Sequence, residues 1–133
     1  MKVPYSTQYI PPAPILTLTL QLPDDNKTVG PIKAIVDTGA DATLVPVGYL
    51  RELGATIWDE AYLRSQWGER RRIFTYLLDI RIGDYTFPGV VVVGDNQGQE
   101  MILGRTLLNQ LILLLDGPQV TLRILTQLPH HLE

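Results

Sequence analysis

A strict alternation of apolar and polar residues marks the first strong element of the chain, residues 15–22. Every second side chain there is a leucine, with threonine or glutamine between them, so four leucines share one face: Leu16, Leu18, Leu20 and Leu22. A period of two residues is typical of a β-strand that buries one face. Segment 23–27 has turn composition, and the apolar segment 29–36 follows it. The pattern therefore predicts a β-hairpin that ends next to Asp37.

One helix is predicted after this hairpin. Residues 43–45 are a short apolar segment that favours a strand, and Pro46 follows them. Proline is common where helices begin, and a glycine just past the last turn supplies the left-handed cap. Pro46 and Gly54 therefore bracket a predicted helix over residues 47–53.

The central part of the chain is predicted to form strands. Residues 61–87 fit two strands around a polar loop at 64–72. In the second strand, alternate apolar residues face one side: Leu78, Ile80 and Ile82. Gly83 and Asp84 then form a turn. Residues 90–93 are four consecutive valines, a run that favours a fully buried strand.

The last third of the chain is predicted to form further strands and one short helix. Residues 101–103 favour another strand, and a short helix is predicted at 106–110. Residues 111–115 and 120–125 form a closing hairpin around Asp116 and Gly117, because Asp-Gly is a strong turn signal. Segments 90–93 and 111–115 are both expected to be core strands. The whole pattern predicts a mostly β, barrel-like domain with one or two short helices.

The domain is bounded by two less regular segments. Residues 1–14 carry four prolines and are predicted to be an extended N-terminal arm. Residues 15–126 form the single domain, and residues 127–133 are the C-terminal tail. Both histidines, His130 and His131, lie in that tail.

Composition removes several classes of function. The 133-residue chain has no cysteine, which excludes disulfides, thiolate zinc sites and thiol nucleophiles. Two terminal histidines make an interior metal site or a Ser-His-Asp triad improbable. A net charge of −3 argues against nucleic-acid binding. The apolar runs are too short to span a membrane, and no targeting segment is visible. The expectation is a soluble cytoplasmic protein, or a soluble piece of a larger chain.

One group of residues is a candidate for catalysis by carboxylates and hydroxyls, which the composition does not exclude. Strand residues Ala34-Ile35-Val36 deliver Asp37-Thr38-Gly39, which combine a carboxylate, a hydroxyl and a residue without a side chain. Such a triplet also occurs by chance as a capped turn at a strand end. A second motif, Ile102-Leu103-Gly104-Arg105, ends another apolar strand in glycine before a helix.

With both motifs at this separation, the chain resembles the retropepsin family of retroviral-type aspartic proteases and their stand-alone cellular relatives. The matching pieces are residues 37–43 and 102–105, and the resemblance spans roughly residues 15–125. It implies the single-domain acid-protease barrel and aspartic endopeptidase activity on peptide or protein substrates. Because the chain holds one catalytic triplet, it also implies a homodimer in which Asp37 faces its own copy. No metal or cofactor is required.

The resemblance also assigns roles to individual residues. Asp37 is the catalytic carboxylate, Thr38 hydrogen-bonds across the dimer axis, and Gly39 lies against the substrate. Ala40 and Asp41 contact substrate as well. Gly104 packs against the catalytic loop, and Arg105 pairs with Asp41 in an ion pair that we expect to be buried. The family often has a second aspartate where this chain has Ala42.

The polar loop at 64–72 occupies the place of the family's flap, the hairpin that closes over substrate. Gly68 is a candidate for its hinge or tip, and Trp67 for a cover over bound peptide. Viral flaps are rich in glycine and apolar at the tip, whereas this loop carries three consecutive arginines, residues 70–72. A charge run is usually a solvated face, and that interpretation is favoured.

Two alternatives to an enzyme remain at this stage. One is a catalytically silent domain of the same fold, used for dimerisation or peptide binding; the intact Asp37-Thr38-Gly39 disfavours it without proving turnover. The other is an interaction module in which the triplet is accidental, which the Gly104-Arg105 motif disfavours.

Overall fold

The computed structural model of the protein describes residues 1–64 and 67–127. In chain order, the elements are β1 (Lys2–Pro4), β2 (Ile15–Gln21), β3 (Thr28–Val36), β4 (Thr43–Pro46), α1 (Val47–Leu53), β5 (Asp59–Arg64), β6 (Arg70–Ile82), β7 (Tyr85–Asp95), β8 (Met101–Leu103), α2 (Arg105–Leu108), β9 (Ile112–Asp116) and β10 (Thr121–Leu125). The predicted mostly β class with two short helices is confirmed. No helix among the described residues is long and apolar enough to cross a membrane.

The larger sheet closes into a barrel. Its strand order is β2-β3-β8-β4-β7-β6-β5, and β2 also pairs with β6. The ring therefore runs through six strands and leaves β5 as an extension beyond it. Closure removes the free edges that an open sheet would expose.

Two strand pairings place the loop at 37–42 over one end of the barrel wall. Strand β3 runs parallel to β8, while β8 is antiparallel to β4, so β8 lies between the two strands that the loop at 37–42 connects. The loop must therefore pass over the end of β8. Gly104 and Arg105, which follow β8, are brought to the same place.

The alternating patterns seen in the sequence correspond to the core. Leu16, Leu18 and Leu20 are buried along β2, and the apolar residues of β6 meet them from the neighbouring strand. That second set is Leu78, Ile80 and Ile82, all fully buried. Helix α1 has the predicted bounds, and Gly54 caps it at φ +70°. The second helix lies at Arg105–Leu108, slightly before the predicted 106–110.

A small second sheet carries both ends of the described chain. Its order is β1-β10-β9, with Lys2 opposite Arg123 and Leu125 opposite Ile112. Part of the predicted N-terminal arm is therefore a strand, and it pairs with its own chain. Residues 128–133, with both histidines, lie outside the described residues, and the domain boundaries stay a prediction.

Two predicted core strands are less buried than expected. Val90, Val92 and Val93 are buried, but Val91 is 40% exposed because strand alternation turns it to the outer face. Segment 111–115 is half-buried up to Leu114, and Leu115 is 47% exposed. The reason is topological: β9 is an edge strand of the small sheet.

The predicted polar loop at 64–72 is also wrong in its bounds. Arg64 ends β5, and the three arginines at 70–72 begin β6, paired across the hairpin with residues 62–64. Arginine tolerates strand positions because its aliphatic stem packs along the sheet while its charged end reaches solvent. The strands therefore take up both ends of the segment that was predicted to be a loop.

The two faces of β7 give a matched test of this sheet. We expect Val92→Thr to lower the free energy of unfolding by about 1–3 kcal/mol, because it buries a hydroxyl in an apolar environment. Val91→Thr makes the same chemical change at an exposed position and is expected to shift it by less than about 0.5 kcal/mol. Urea denaturation measures both. Equal effects at the two positions would contradict the assigned orientation of the strand.

Candidate active site

Asp37 stands at the end of β3 in a tight turn. Its backbone N–H donates to the Leu103 carbonyl at 3.0 Å, which ties it to β8. The Gly39 N–H donates to Asp37 Oδ1 at 2.9 Å, and the Ala40 N–H donates to the Asp37 carbonyl at 3.2 Å. These bonds fix the orientation of a half-buried carboxylate whose second oxygen keeps its acceptor capacity.

Gly104 lies against the backbone of the same loop. A Cβ at this position would come within 2.9 Å of the Ala40 carbonyl oxygen and closer still to that of Ala42. No side chain fits there, so glycine is required by close approach. The structure therefore places Gly104 directly against the loop that holds Asp37.

Two threonines support this contact, one buried in the barrel and one exposed in α2. Thr43 is fully buried, and its hydroxyl accepts from the Gly104 N–H at 3.1 Å. The same hydroxyl lies 2.9 Å from that of Thr106. Sequence analysis gave neither residue a role. The available signal was a hydroxyl residue at the first position of an otherwise apolar strand.

Arg105 connects three residues of the loop. Its backbone N–H donates to the Ala40 carbonyl at 2.9 Å, and its Nη1 donates to the Thr38 carbonyl at 2.7 Å. Its Nη2 forms the predicted ion pair with Asp41 Oδ1. The expected burial of this pair is wrong for the single chain, in which the Asp41 side chain is 88% exposed. An exposed pair contributes little to stability, so the bonds to backbone carbonyls hold the loop.

The β5–β6 hairpin occupies the position predicted for the flap. Trp67 is 82% exposed, and Gly68 has a φ of +84°, a left-handed conformation suited to glycine at a turn. Both lie in the connection between β5 and β6. The structure therefore leaves their contact with substrate as a prediction.

A cavity of about 730 Å³ lies under this hairpin. Leu44 and Leu63 form part of its wall, together with Arg71 and the loop that follows β7. Arg71 Nη1 donates to Gln97 Oε1 at 3.1 Å and so joins the hairpin to that loop. Leu44 comes from β4, the strand that directly follows the loop at 37–42. Arg71 was interpreted from the sequence as part of a solvated face.

Asp95 holds the loop on the other side of this cavity. Its Oδ1 accepts from the backbone N–H groups of Gln97 and Gly98, at 3.0 and 3.1 Å. The hydrogen bonds from Gly98 and Gln97 lower the pKa of Asp95, and the charge of Arg71 lowers it further. Asp95 is therefore ionised well into the acidic range. Among the described residues, no group of three potential metal ligands comes together.

Comparison with known proteins connects this geometry to a family. The sequence profile described as "gag-polyprotein putative aspartyl protease" matches residues 26–110, more than half of the chain and all of the Asp37 and Gly104 motifs. The chain belongs to this retropepsin-like family. No curated protein matches its sequence closely enough to count as a relative.

Solved structures show that the fold is that of retropepsin-like proteases. The retropepsin-like aspartic protease from Rickettsia conorii superposes with a TM-score of 0.60 at 18% identity, covering 92% of this chain and 86% of that one. The EIAV protease, solved with the inhibitor HBY-793, gives 0.54 at 18% identity, with coverages of 81% and 93%. The retroviral protease-like domain of Ddi1 from Leishmania major gives 0.51 at 17%, with 89% and 97%.

The glycine contact predicts a large and specific effect of one added methyl group. Gly104→Ala is expected to lower the free energy of unfolding by about 3 kcal/mol or more, because the atoms in its way belong to the backbone. Gly48→Ala is the matched control. Nothing lies within 4 Å of a Cβ at Gly48, so alanine in this helix is expected to raise stability by up to about 1 kcal/mol. Urea denaturation compares the two, and a harmless Gly104→Ala would refute the close approach.

Proposed function

We propose that this retropepsin-like chain is an aspartic endopeptidase that works as a homodimer, with one Asp37 from each copy. The observation that carries the proposal is the Asp37 turn: the carboxylate is oriented by the Gly39 N–H and seated over β8 by Gly104. An accidental triplet has no reason to be held by a second motif. The family supports the same activity.

The proposed dimer follows from the need for two catalytic carboxylates, of which one chain supplies only one. The chain has a single Asp-Thr-Gly triplet, and the other candidate, Asp116-Gly117, lies in the β9–β10 turn. Activating a water and polarising a carbonyl together require two acidic groups in different protonation states. A two-fold axis next to Asp37 supplies the second group from an identical chain.

The outer edge of β9 is a suitable surface for this association. Strand β9 pairs only with β10 among the described elements, so its other edge presents unpaired backbone groups. Its side chains are apolar from Ile112 to Leu115, and Leu115 is 47% exposed. Antiparallel pairing of two β9 strands would satisfy the backbone and bury these side chains.

The reaction needs no covalent intermediate. The ionised Asp37 takes a proton from a water molecule whose oxygen bonds to the scissile carbonyl carbon, while the protonated Asp37 of the partner subunit donates to the carbonyl oxygen. The tetrahedral intermediate then collapses: the C–N bond breaks, the amine nitrogen takes a proton, and a carboxylic acid and an amine are released. One proton is again shared by the pair.

The neighbouring residues have supporting roles in this proposal. Thr38 lies at the dimer axis, and the Gly39 carbonyl accepts from substrate backbone N–H groups. Ala40 and Asp41 line the substrate groove, and Asp41 is exposed in the single chain, as a substrate-contacting carboxylate must be. Arg105 and Gly104 hold this loop in place. Trp67 and Gly68 cover bound peptide from the hairpin.

Removing the carboxylate tests the mechanism directly. Asp37→Asn is expected to lower the cleavage rate of a peptide library by at least about 10²-fold, because an amide cannot take the proton from water. Sedimentation and circular dichroism should show an unchanged dimer and fold. Asp84→Asn, the same substitution in an exposed turn, serves as the control and is expected to retain full activity. Cleavage that survives Asp37→Asn, or a wild-type dimer that cleaves nothing, would contradict the proposal.

The shared proton predicts an acidic optimum. Two carboxylates in contact cannot both ionise at low cost, so the active form carries one proton and is lost when both ionise at higher pH. We expect kcat/KM, measured with a peptide that has no titrating side chains, to be highest below neutral pH. A rate that keeps rising from about pH 5 to about pH 9 would contradict a shared-proton pair. Circular dichroism at each pH separates catalysis from unfolding.

A further inference from the structure

The β5–β6 hairpin has two chemically different faces. On the outer face, Arg72 Nε pairs with Glu60 Oε1 at 2.7 Å, and its guanidinium lies 4.9 Å from the centre of the Phe74 ring. The guanidinium of Arg70 lies 4.6 Å from the centre of the Tyr62 ring. Both arginines have partners within the hairpin itself; Arg70 also borders the cavity under the hairpin, and Arg72 does not line it.

Arg71 is on the opposite face. Strand alternation places it beside its cross-strand partner Leu63 and the buried Ile73, on the side of the hairpin that faces the cavity. It donates one hydrogen bond, from Nη1 to Gln97 Oε1. Arg71 forms no ion pair with any residue that the structure describes. A guanidinium has five N–H donors. Most of the donors of Arg71 are therefore available to a group that enters the cavity.

Two acidic residues, Glu69 and Asp95, line the same cavity as Arg71, and Glu69 has an interaction of its own. Asp95 faces Arg71 from the loop that follows β7. Its Oδ1 is already engaged by two backbone N–H groups, and it lies beyond the 4 Å that defines an ion pair with Arg71. It therefore reduces the positive potential of the cavity without occupying the guanidinium. We therefore expect the cavity to prefer a negatively charged group over a positive one only moderately.

We propose that Arg71 is a specificity-determining residue that selects an acidic side chain of the substrate, glutamate above all. The carboxylate would bond to the free N–H groups of the guanidinium in the paired geometry that arginine favours. The methylene groups of glutamate would pack on Leu44 and Leu63, which line the same cavity. This inference rests on the proposed peptidase function, because it places the cavity along the path of the bound peptide.

The two-fold axis gives the proposal a distinctive signature. A homodimer has two copies of Arg71, one on each side of the Asp37 pair. A peptide lying across the axis passes both cavities. The preference for glutamate is therefore expected at two positions, one on each side of the cleaved bond.

The test uses the full chain and peptides that differ at one position. For each position around the cleaved bond, kcat/KM is measured with glutamate, glutamine and lysine. At the two sensitive positions we expect glutamate to exceed lysine by about tenfold, with glutamine in between. Arg71→Glu should reverse the order of glutamate and lysine, and Arg71→Lys should retain a weaker preference for glutamate.

The matched control is Arg72→Glu, which makes the same substitution one residue away on the outer face. Because the ratio of two peptides is measured on one variant, a partly destabilised hairpin does not imitate the effect. The proposal is overturned if the glutamate-to-lysine ratio is the same in wild type and Arg71→Glu, or if Arg72→Glu changes it equally.

Failure of the peptidase function gives a different result. If wild type cleaves nothing, the glutamate, glutamine and lysine peptides are labelled with a fluorophore, and their binding to Asp37→Asn is measured instead. Tighter binding of the glutamate peptide that Arg71→Glu abolishes supports the proposal without catalysis, and equal affinities overturn it.

Discussion

The loop that holds Asp37 depends on one close contact between backbones. Gly104 approaches the carbonyl groups of Ala40 and Ala42 so closely that no side chain fits. The contact brings the start of α2 under the loop, which lets Arg105 reach the carbonyls of Thr38 and Ala40. The hydrogen bonds inside the turn, from the Gly39 and Ala40 N–H groups to Asp37, add to these contacts.

One buried hydroxyl, and not a charge, completes this arrangement inside the barrel. Thr43 is the one polar side chain that is buried in the described core, and it satisfies the Gly104 N–H. An unpaired N–H there would cost about 1–3 kcal/mol. The Asp41–Arg105 pair outside is largely exposed and is worth less. The loop is therefore held mainly by hydrogen bonds to its backbone, those from Arg105 among them, and less by the exposed ion pair.

Sequence periodicity predicted the strands that bury one face and failed where that signal was absent. The leucines of β2 alternate with polar residues, so the sequence shows which face they share. The four residues at 90–93 are all valine, so the sequence gives no sign that Val91 is exposed. Segment 111–115 has core composition, but its place at a sheet edge depends on strand order. The sequence could not distinguish Arg71 from Arg70 and Arg72, because only strand pairing in the folded hairpin shows which face each arginine occupies. Its contact with Gln97 joins residues far apart in the sequence.

The free edge of β9 makes the isolated chain vulnerable. An unpaired strand rich in leucine is a template onto which other extended chains add, and such growth leads to fibrils. The other edge strand of this sheet, β1, is short and contains a proline, which discourages addition. A partner bound along β9 would therefore protect the protein from aggregation as well as complete a site. Dilution, which favours separated chains, would expose that edge while also lowering the chance of an aggregating encounter.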